Sequence, residues 1–252
     1  MKSPLKDRYD FKSTRYLKDI IPPKSIVESY CLYAAEVELS LALSDRLVVS
    51  HTNKYPIYEF WHAMKHAPHR VAGLAMSVHS DIDEGIFHKL QEEWWTFKDP
   101  YYRAALFFIL NRESSLGLAS CGQRQPVELT RGFLSRVEKF SAKNFYVVMD
   151  KHECLVDNIT DKINSDFKLF LPGSHSFNLL GAKQERAYDF SPIKHNKLFI
   201  KLDNLPEKWI TVYKFKKALL QRYEKYNITM IDEYGNKTQK PERCEDLVIA
   251  NF

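Results

Sequence analysis

Strand-type sequence occurs in two blocks of this chain, and a long stretch of helical pattern separates them. In the first block, IVESY and RLVVS are short apolar runs rich in β-branched residues. The segment between them, EVELSLALSD, has apolar residues at helical spacing. A strand, a helix and a second strand in this order predict the opening of a parallel α/β sheet.

The second block follows a helical stretch that runs from Pro56 to Leu118. That stretch contains IYEFWHAMKHA, DEGIFHKLQEEWWTF and YYRAALFFILN, bounded by Pro, Asp or Ser. Strand-type runs return at NFYVVMD, KLFIKLDNL, KWITVYK and DLVIANF, with the helical KKALLQRYEKY before the last. We therefore predict a Rossmann-like α/β core formed by residues 1–55 and 140–252, with a helical insertion at 56–139.

Composition excludes several classes of protein. With 44% hydrophobic and 27% charged residues among 252, the chain is an ordinary folded protein. The longest apolar run, Ala104 to Leu110, is too short to span a bilayer, and the charged start has no signal-peptide pattern. We expect a soluble, cytoplasmic protein with no membrane contact. The four cysteines lie far apart in the sequence and are expected to be reduced thiols: Cys31, Cys121, Cys154 and Cys244.

The net charge of +5 is unevenly distributed. Residues 1–25 carry seven Lys/Arg against three acids, and residues 183–243 carry fourteen against eight. If these two segments meet in space, they form a basic face that attracts phosphate; otherwise they are two solvated surfaces. Both interpretations remain open at this point.

General motifs do not identify an active site, because the sequence has no phosphate loop, dinucleotide turn, zinc-protease helix or nucleophile elbow. His62, His66 and His69 have helical spacing, but Pro68 interrupts the helix and no acidic or Cys ligand supports them, so we expect surface histidines and no metal site. The aromatic pairs Trp94–Trp95 and Tyr101–Tyr102 are typical of base stacking or, more often, of a core.

A cluster of titratable residues follows the apolar run NFYVVM: Asp150, Lys151, His152 and Glu153. The carboxyl end of a strand is where open α/β sheets present reactive groups, so this cluster is a candidate for acid–base chemistry. Charged residues are equally typical of an ordinary loop.

Taken over its full length, the chain resembles the DNA adenine methylase (Dam-like) family of N6-adenine methyltransferases. PLKDRYDFKSTRYLKDIIP is similar to the family's opening PLKW-x-GGK-x-x-L-x-x-I, and IVESYCLYAAEV to its VEPF-x-G-x-G-x-V. SHTNKYPIYEFWHAMKHAP and RAALFFILNRESSLGL resemble its DxN and LNR segments. NFYVVMDKHE stands where the DPPY strand belongs, and CEDLVIANF resembles the family's last strand. The resemblance implies a methyltransferase sheet with an inserted DNA-recognition-like domain.

The resemblance also implies sites for the cofactor S-adenosylmethionine and for DNA. The cofactor positions fall on Lys12, Glu28, Tyr30, His51 and Asn53. The DNA-contacting positions fall on Asn111, Arg112, Gln123, Arg124 and Arg131, in and after a short hairpin.

Several residues differ from the family at the positions that carry its chemistry. Leu32, Tyr33 and Ala34 replace the glycine-rich turn, and their side chains would fill the space of the cofactor's methionine part. His51 replaces the acid that accepts the ribose hydroxyls. The family's GGK turn reads Asp10-Phe11-Lys12.

The catalytic loop departs as well. In the family, the Asp and the first Pro carbonyl accept the hydrogens of the flipped adenine's amine, and the Tyr stacks on the base. Here Asp150 could still accept an amine, but the prolines and the aromatic ring are absent and Lys151 would stand beside a sulfonium.

These departures favour a Dam-like pseudoenzyme, acting as a DNA- or protein-binding or structural subunit, with no cofactor expected. Because such genes are frequent in bacteriophages, the resemblance implies a phage protein. The chain could then be part of the phage particle. Its partners would be double-stranded DNA, a protein assembly or both. Two alternatives stay open: a divergent active enzyme that uses S-adenosylmethionine and Asp150, and a DNA-binding protein without chemistry.

Overall fold

A single sheet of eight strands lies at the centre of the described chain. The computed structural model describes residues 3–7, 9–127, 129–150, 164–173 and 195–252. The strands are β1 (Ile26–Tyr30), β2 (Leu47–Thr52), β3 (Phe145–Met149), β4 (Phe167–Gly173), β5 (Trp209–Lys214), β6 (Asn227–Asp232), β7 (Lys237–Thr238) and β8 (Cys244–Ala250).

The strand order across the sheet is β3-β2-β1-β4-β5-β8-β6-β7. Neighbouring strands from β3 to β5 are parallel, whereas β8 runs antiparallel between β5 and β6. This is a doubly wound order, and the strand sequence reverses direction between β1 and β4. The predicted Rossmann-like α/β sheet is confirmed.

The helices of the described residues cover both faces of this sheet. They are α1 (Thr14–Ile20), α2 (Glu36–Ala42), α3 (Tyr55–His66), α4 (Pro68–His79), α5 (Glu84–Glu93), α6 (Pro100–Glu113), α7 (Arg131–Glu138), α8 (His195–Asp203) and α9 (Lys217–Arg222). One core contains Val27 and Val48 of the strands together with Phe60, Trp61 and Phe107 of the helices. A second core lies on the opposite face.

The second core joins rings of the strands to α8 and α9. Tyr30, Phe170 and Trp209 belong to it, and α8 contributes Leu198 and Leu202. Side chains in register on parallel strands point to the same face, so Tyr30 of β1 and Phe170 of β4 meet there. Two apolar layers therefore enclose the sheet.

Helices α3 to α7 all lie in the connection from β2 to β3. The boundary expected at residue 55 coincides with the first residue of α3, and the boundary at 140 falls in the loop between α7 and β3. Because Phe60 and Trp61 of α3 pack in the same core as the strands, this part of the insertion is continuous with the sheet. The division into two domains stays a prediction.

One predicted strand is wrong. KLFIKLDNL forms most of helix α8, because Leu198 and Leu202, four residues apart, both bury against the sheet. The sequence patterns also did not single out α4, β4 or β6. Among the described residues, no helix is both long and apolar enough to cross a bilayer.

Candidate functional site

Three parallel strands end side by side and bring Glu28, His51 and Asp150 together. Tyr30 of β1 is in register with His51 of β2, and Asp150 follows β3, where its N–H donates to the Thr52 carbonyl at 2.8 Å. His51 and Glu28 are buried, and Asp150 is half-buried. The carboxyl ends of strands are where this type of sheet presents its functional side chains.

His51 lies between two carboxylates. Its Nε2 is 2.9 Å from Glu28 Oε1, and its Nδ1 is 3.1 Å from Asp150 Oδ1. Burial opposes a charge on this imidazole, but the hydrogen bonds and charges of the two carboxylates outweigh it and raise the pKa of His51 to about 9. His51 is therefore an imidazolium at neutral pH.

Lys168 of β4 extends the charges across the sheet. It is in register with Glu28, its ammonium donates to Glu28 Oε2 at 3.0 Å, and it lies 3.4 Å from Glu207 Oε1. Burial favours protonation of Glu28, yet His51 and Lys168 keep its pKa below the usual value. Acids and bases thus alternate from Asp150 through His51, Glu28 and Lys168 to Glu207, and we call these five residues the charge chain.

Three rings lie on the same face of the sheet as the charge chain. Tyr30 is stacked on His51 at 4.8 Å and on Phe170 at 4.8 Å, with interplanar angles of 12° and 7°. Tyr30 ends β1, and Phe170 lies beside it within β4, at the β1–β4 reversal where α/β proteins of this type bind ligands. The ring stack therefore occupies that part of the sheet with side chains of the chain itself.

The turn after β1 is also filled. Leu32, Tyr33 and Ala34, at the positions of the family's glycine-rich turn, are all buried in the core. The flanking Cys31 and Ala35 have φ of 77° and 57°, which is the left-handed region that favours glycine. The backbone here has the shape of a tight turn, and the side chains of Leu32, Tyr33 and Ala34 fill the interior of that turn.

Two other parts of the chain hold this turn. The indole of Trp61 in α3 donates to the Tyr33 carbonyl at 2.9 Å, and the Ser3 hydroxyl donates to the Ala34 carbonyl. The turn is thus fixed by hydrogen bonds to the insertion and to the N-terminal segment.

The N-terminal segment itself is fixed at both ends. The Asn111 amide accepts from the Lys6 N–H at 2.7 Å and donates to the Lys6 carbonyl at 3.0 Å. Further along, the Tyr9 hydroxyl donates to Asp246 of β8, and the Ser13 N–H donates to the same carboxylate at 2.7 Å. Burial raises the pKa of Asp246, and these hydrogen bonds oppose that effect.

The remaining predicted cofactor positions are outside the charge chain. Lys12 pairs with the exposed Asp10, and the neighbouring carboxylate raises the pKa of Lys12. Asn53 follows β2 and is half-buried. The structure therefore groups Glu28, Tyr30 and His51 and leaves Lys12 and Asn53 outside that group. Residues Lys151, His152 and Glu153, like Cys154, lie outside the described residues.

The predicted DNA contacts are dispersed. Asn111 is 0% exposed, and its amide is bonded to Lys6, Gly117 and Tyr33, so it has no atom available to a duplex in this conformation. Arg124 Nε donates to the buried Glu113 at 2.7 Å, which fixes it against α6. Gln123 and Arg131 are exposed, and Arg112 is half-buried beside Phe133.

The three histidines that have helical spacing in the sequence lie on two helices and are exposed. His62 and His66 of α3 lie ring to ring at 4.3 Å, while His69 is in α4. Among the residues that the structure describes, no three His, Cys, Asp or Glu side chains lie close enough to share a metal ion.

Sequence reasoning found Glu28, His51 and Asp150 one at a time but missed Lys168 and Glu207. The available signal was a lysine inside the apolar run FKLFL, where a charged side chain must be paired if the run is a buried strand. Only the register of β1 with β4 shows that Glu28 is its partner.

No protein-family model matches the chain, and no curated protein matches it significantly. Several solved structures with a similar backbone course are methyltransferases. A TehB-like S-adenosylmethionine-dependent methyltransferase from Corynebacterium glutamicum has 6% identity and a TM-score of 0.40, with 95% of this chain and 86% of that one covered. An S-adenosylmethionine-dependent methyltransferase from Aquifex aeolicus has 9% identity and a TM-score of 0.40, with 97% and 90% covered.

The rRNA methyltransferase AviRa from Streptomyces viridochromogenes has 11% identity and a TM-score of 0.32, with 92% of this chain and 77% of that one covered. Because these identities and TM-scores are low, we infer no activity, cofactor or substrate from the similarities. The strand order of the sheet is that of a doubly wound α/β protein, with a reversal between β1 and β4.

Proposed function

We propose that this chain has a methyltransferase fold but does not transfer methyl groups, and that it acts as a binding or structural subunit. The observation that carries the proposal is the pairing of His51 with both Glu28 and Asp150. A cofactor site at the ends of these strands would need free acceptors for ribose hydroxyls. Here the Glu28 carboxylate is engaged on both oxygens, by the imidazolium of His51 and by the ammonium of Lys168.

The ion pairs of the charge chain support the proposal. Glu28 is 1% exposed and Lys168 is 0% exposed, so the two charges are paired away from water. A cofactor that took up the Glu28 carboxylate would leave Lys168 buried without its partner, which is costly.

Side chains also fill the space that the cofactor would need. The side chains of Leu32, Tyr33 and Ala34 fill the turn that would have to open for the cofactor's methionine part. Tyr30 and Phe170 are stacked at the β1–β4 reversal. The residues present do not fit S-adenosylmethionine.

The position of Asp150 does not favour adenine chemistry. It follows β3, which is separated from β4 by β2 and β1, and its Oδ1 is engaged by His51. In the alternative of a divergent active enzyme, the amine would have to reach Oδ2 of Asp150, which is buried and has no hydrogen-bond partner among the described residues.

The surface of α7 and the loop after it favours a negatively charged partner such as duplex DNA. Arg131, Arg136, Lys139 and Lys143 are exposed there, against one acid, Glu138. Such a surface neutralises phosphates without reading bases, so binding would weaken steeply with salt. A protein assembly with an acidic face is the other partner that this surface suits.

Calorimetry with S-adenosylmethionine, together with a labelled methyl-transfer assay on adenine-containing DNA, tests the proposal. We expect neither saturable binding nor transfer. Micromolar affinity with turnover would overturn it, and loss of that turnover in Asp150→Asn would then establish the divergent enzyme. A gel shift of duplex DNA over a salt series distinguishes DNA from a protein partner.

A further inference from the structure

A cavity of about 560 Å³ lies between α7, the end of α6 and the N-terminal segment, away from the charge chain. Arg112 and Arg136 line it together with Phe133. Val137, Phe140 and Pro4 supply an apolar wall. Its volume falls within the range of small-molecule sites, which combine an apolar lining with a few polar groups.

The two arginines are arranged around one ring. The guanidinium carbon of Arg112 is 4.9 Å from the centre of the Phe133 ring, and that of Arg136 is 5.6 Å from it. Contact with an aromatic ring restricts a guanidinium but leaves its N–H groups free to donate. The ring therefore orients two cations at one cavity.

Arg112 differs from other arginines of the insertion. Arg70, Arg103 and Arg124 each pair with an acid: Asp99, Glu59 and Glu113, respectively. The Nε of Arg112 is instead buried without a hydrogen-bond partner in the described part of the chain, and burial lowers the pKa of Arg112. A buried guanidinium N–H without an acceptor is costly, and a bound oxyanion would satisfy it.

No carboxylate lines this cavity among the described residues. Arg112 also borders a neighbouring cavity that is lined by Asp7, Asp10 and Glu36. The site thus pairs a cationic end with an apolar wall. That combination suits a ligand with an anionic group at one end and an apolar body at the other.

We propose that this cavity binds a small organic anion, in which a phosphate or carboxylate contacts Arg112 and Arg136 and the apolar body lies against Val137 and Phe140. The cavity is too large for inorganic phosphate alone to fill, so the body contributes to affinity. The proposal does not depend on whether the chain transfers methyl groups.

Calorimetry with matched ligands tests the proposal. The probes are phenyl phosphate and adenosine monophosphate, each compared with its neutral counterpart, phenol or adenosine, and with inorganic phosphate. We expect at least one organic phosphate to bind about tenfold or more tightly than its neutral counterpart and than inorganic phosphate. If neither organic phosphate binds, the proposal is overturned.

Variants separate the cavity from general surface charge. Arg112→Met and Arg136→Gln should each weaken binding about tenfold or more. Lys89→Gln removes an exposed charge from α5, outside the cavity lining, and should leave binding unchanged. Equal weakening in all three variants would overturn the proposal, as would binding of duplex DNA with no binding of either organic phosphate. Because Arg136 is exposed, its variant gives a result even if Arg112→Met does not fold.

Discussion

His51 Nε2 lies 2.9 Å from Glu28 Oε1, and this pair joins the ends of β2 and β1. Both side chains are buried, at 6% and 1% exposure. A buried charge pair is stable only when further partners satisfy it, and here Asp150 and Lys168 supply them. The strand ends that a nucleotide-binding sheet usually leaves open are thus linked by charges.

Stability should fall as the pH rises from about 6.5 to about 9, because His51 is an imidazolium in the folded chain. Its pKa is about 9 when folded and about 6.5 when unfolded. A raised pKa stabilises the fold fully below the unfolded value, and the contribution is lost as the pH passes the folded value. Unfolding by urea at a series of pH values should show a loss of roughly 3 kcal/mol at most.

His51→Gln keeps a polar side chain but does not titrate, so it is the matched variant for that pH series. It should be less stable than the parent at pH 6 and should lose little further stability between pH 7 and 9. A parent and a variant with the same slope over this range would contradict the assignment of the slope to His51.

Glu38→Gln should stabilise the chain above neutrality. Burial in α2 raises the pKa of Glu38 to about 7, and the Ser29 hydroxyl donates to its carboxylate at 3.1 Å. The raised pKa favours the fold below about pH 4.5, and this contribution is lost as the pH rises through about 7. The neutral amide should therefore raise the free energy of unfolding by roughly 1–3 kcal/mol at pH 8.5, with little gain at pH 5. A gain that does not depend on pH would refute this explanation.

Asn111→Ala should loosen the N-terminal segment. The Asn111 amide bonds both the N–H and the carbonyl of Lys6, so its removal leaves two half-buried backbone groups unpaired. We expect a loss of about 2–4 kcal/mol in unfolding free energy and faster hydrogen exchange in residues 3–7. Gln123→Ala, at an exposed side chain of the neighbouring hairpin, is the control and should change neither quantity. Unchanged exchange in residues 3–7 of Asn111→Ala would contradict the role.

Local sequence patterns were sufficient to predict four core strands, β1, β2, β5 and β8. Each of these strands is a short run of mainly apolar residues, which can be recognised from adjacent residues alone. They failed for KLFIKLDNL, in which strand-type residues also satisfy helical spacing. They failed again for β4, whose apolar run is interrupted by Lys168. The charge chain could not be predicted, since Glu28 and Lys168 are distant in sequence and meet only through the register of β1 with β4.

The coupling between Glu28 and Lys168 gives the most direct test of the charge chain. Lys168→Met alone removes a buried ammonium and leaves Glu28 short of one partner, so it should cost roughly 3–5 kcal/mol. Glu28→Gln alone should cost a similar amount, because it leaves Lys168 and His51 without their shared carboxylate. In the double variant the orphaned partner is absent, so the total loss should be smaller than the sum by at least about 1 kcal/mol. Urea unfolding of all four proteins at pH 6 measures this difference. If the losses in unfolding free energy are additive, the two side chains contribute through packing alone. The ion pair between Glu28 and Lys168 would then add no stability between β1 and β4.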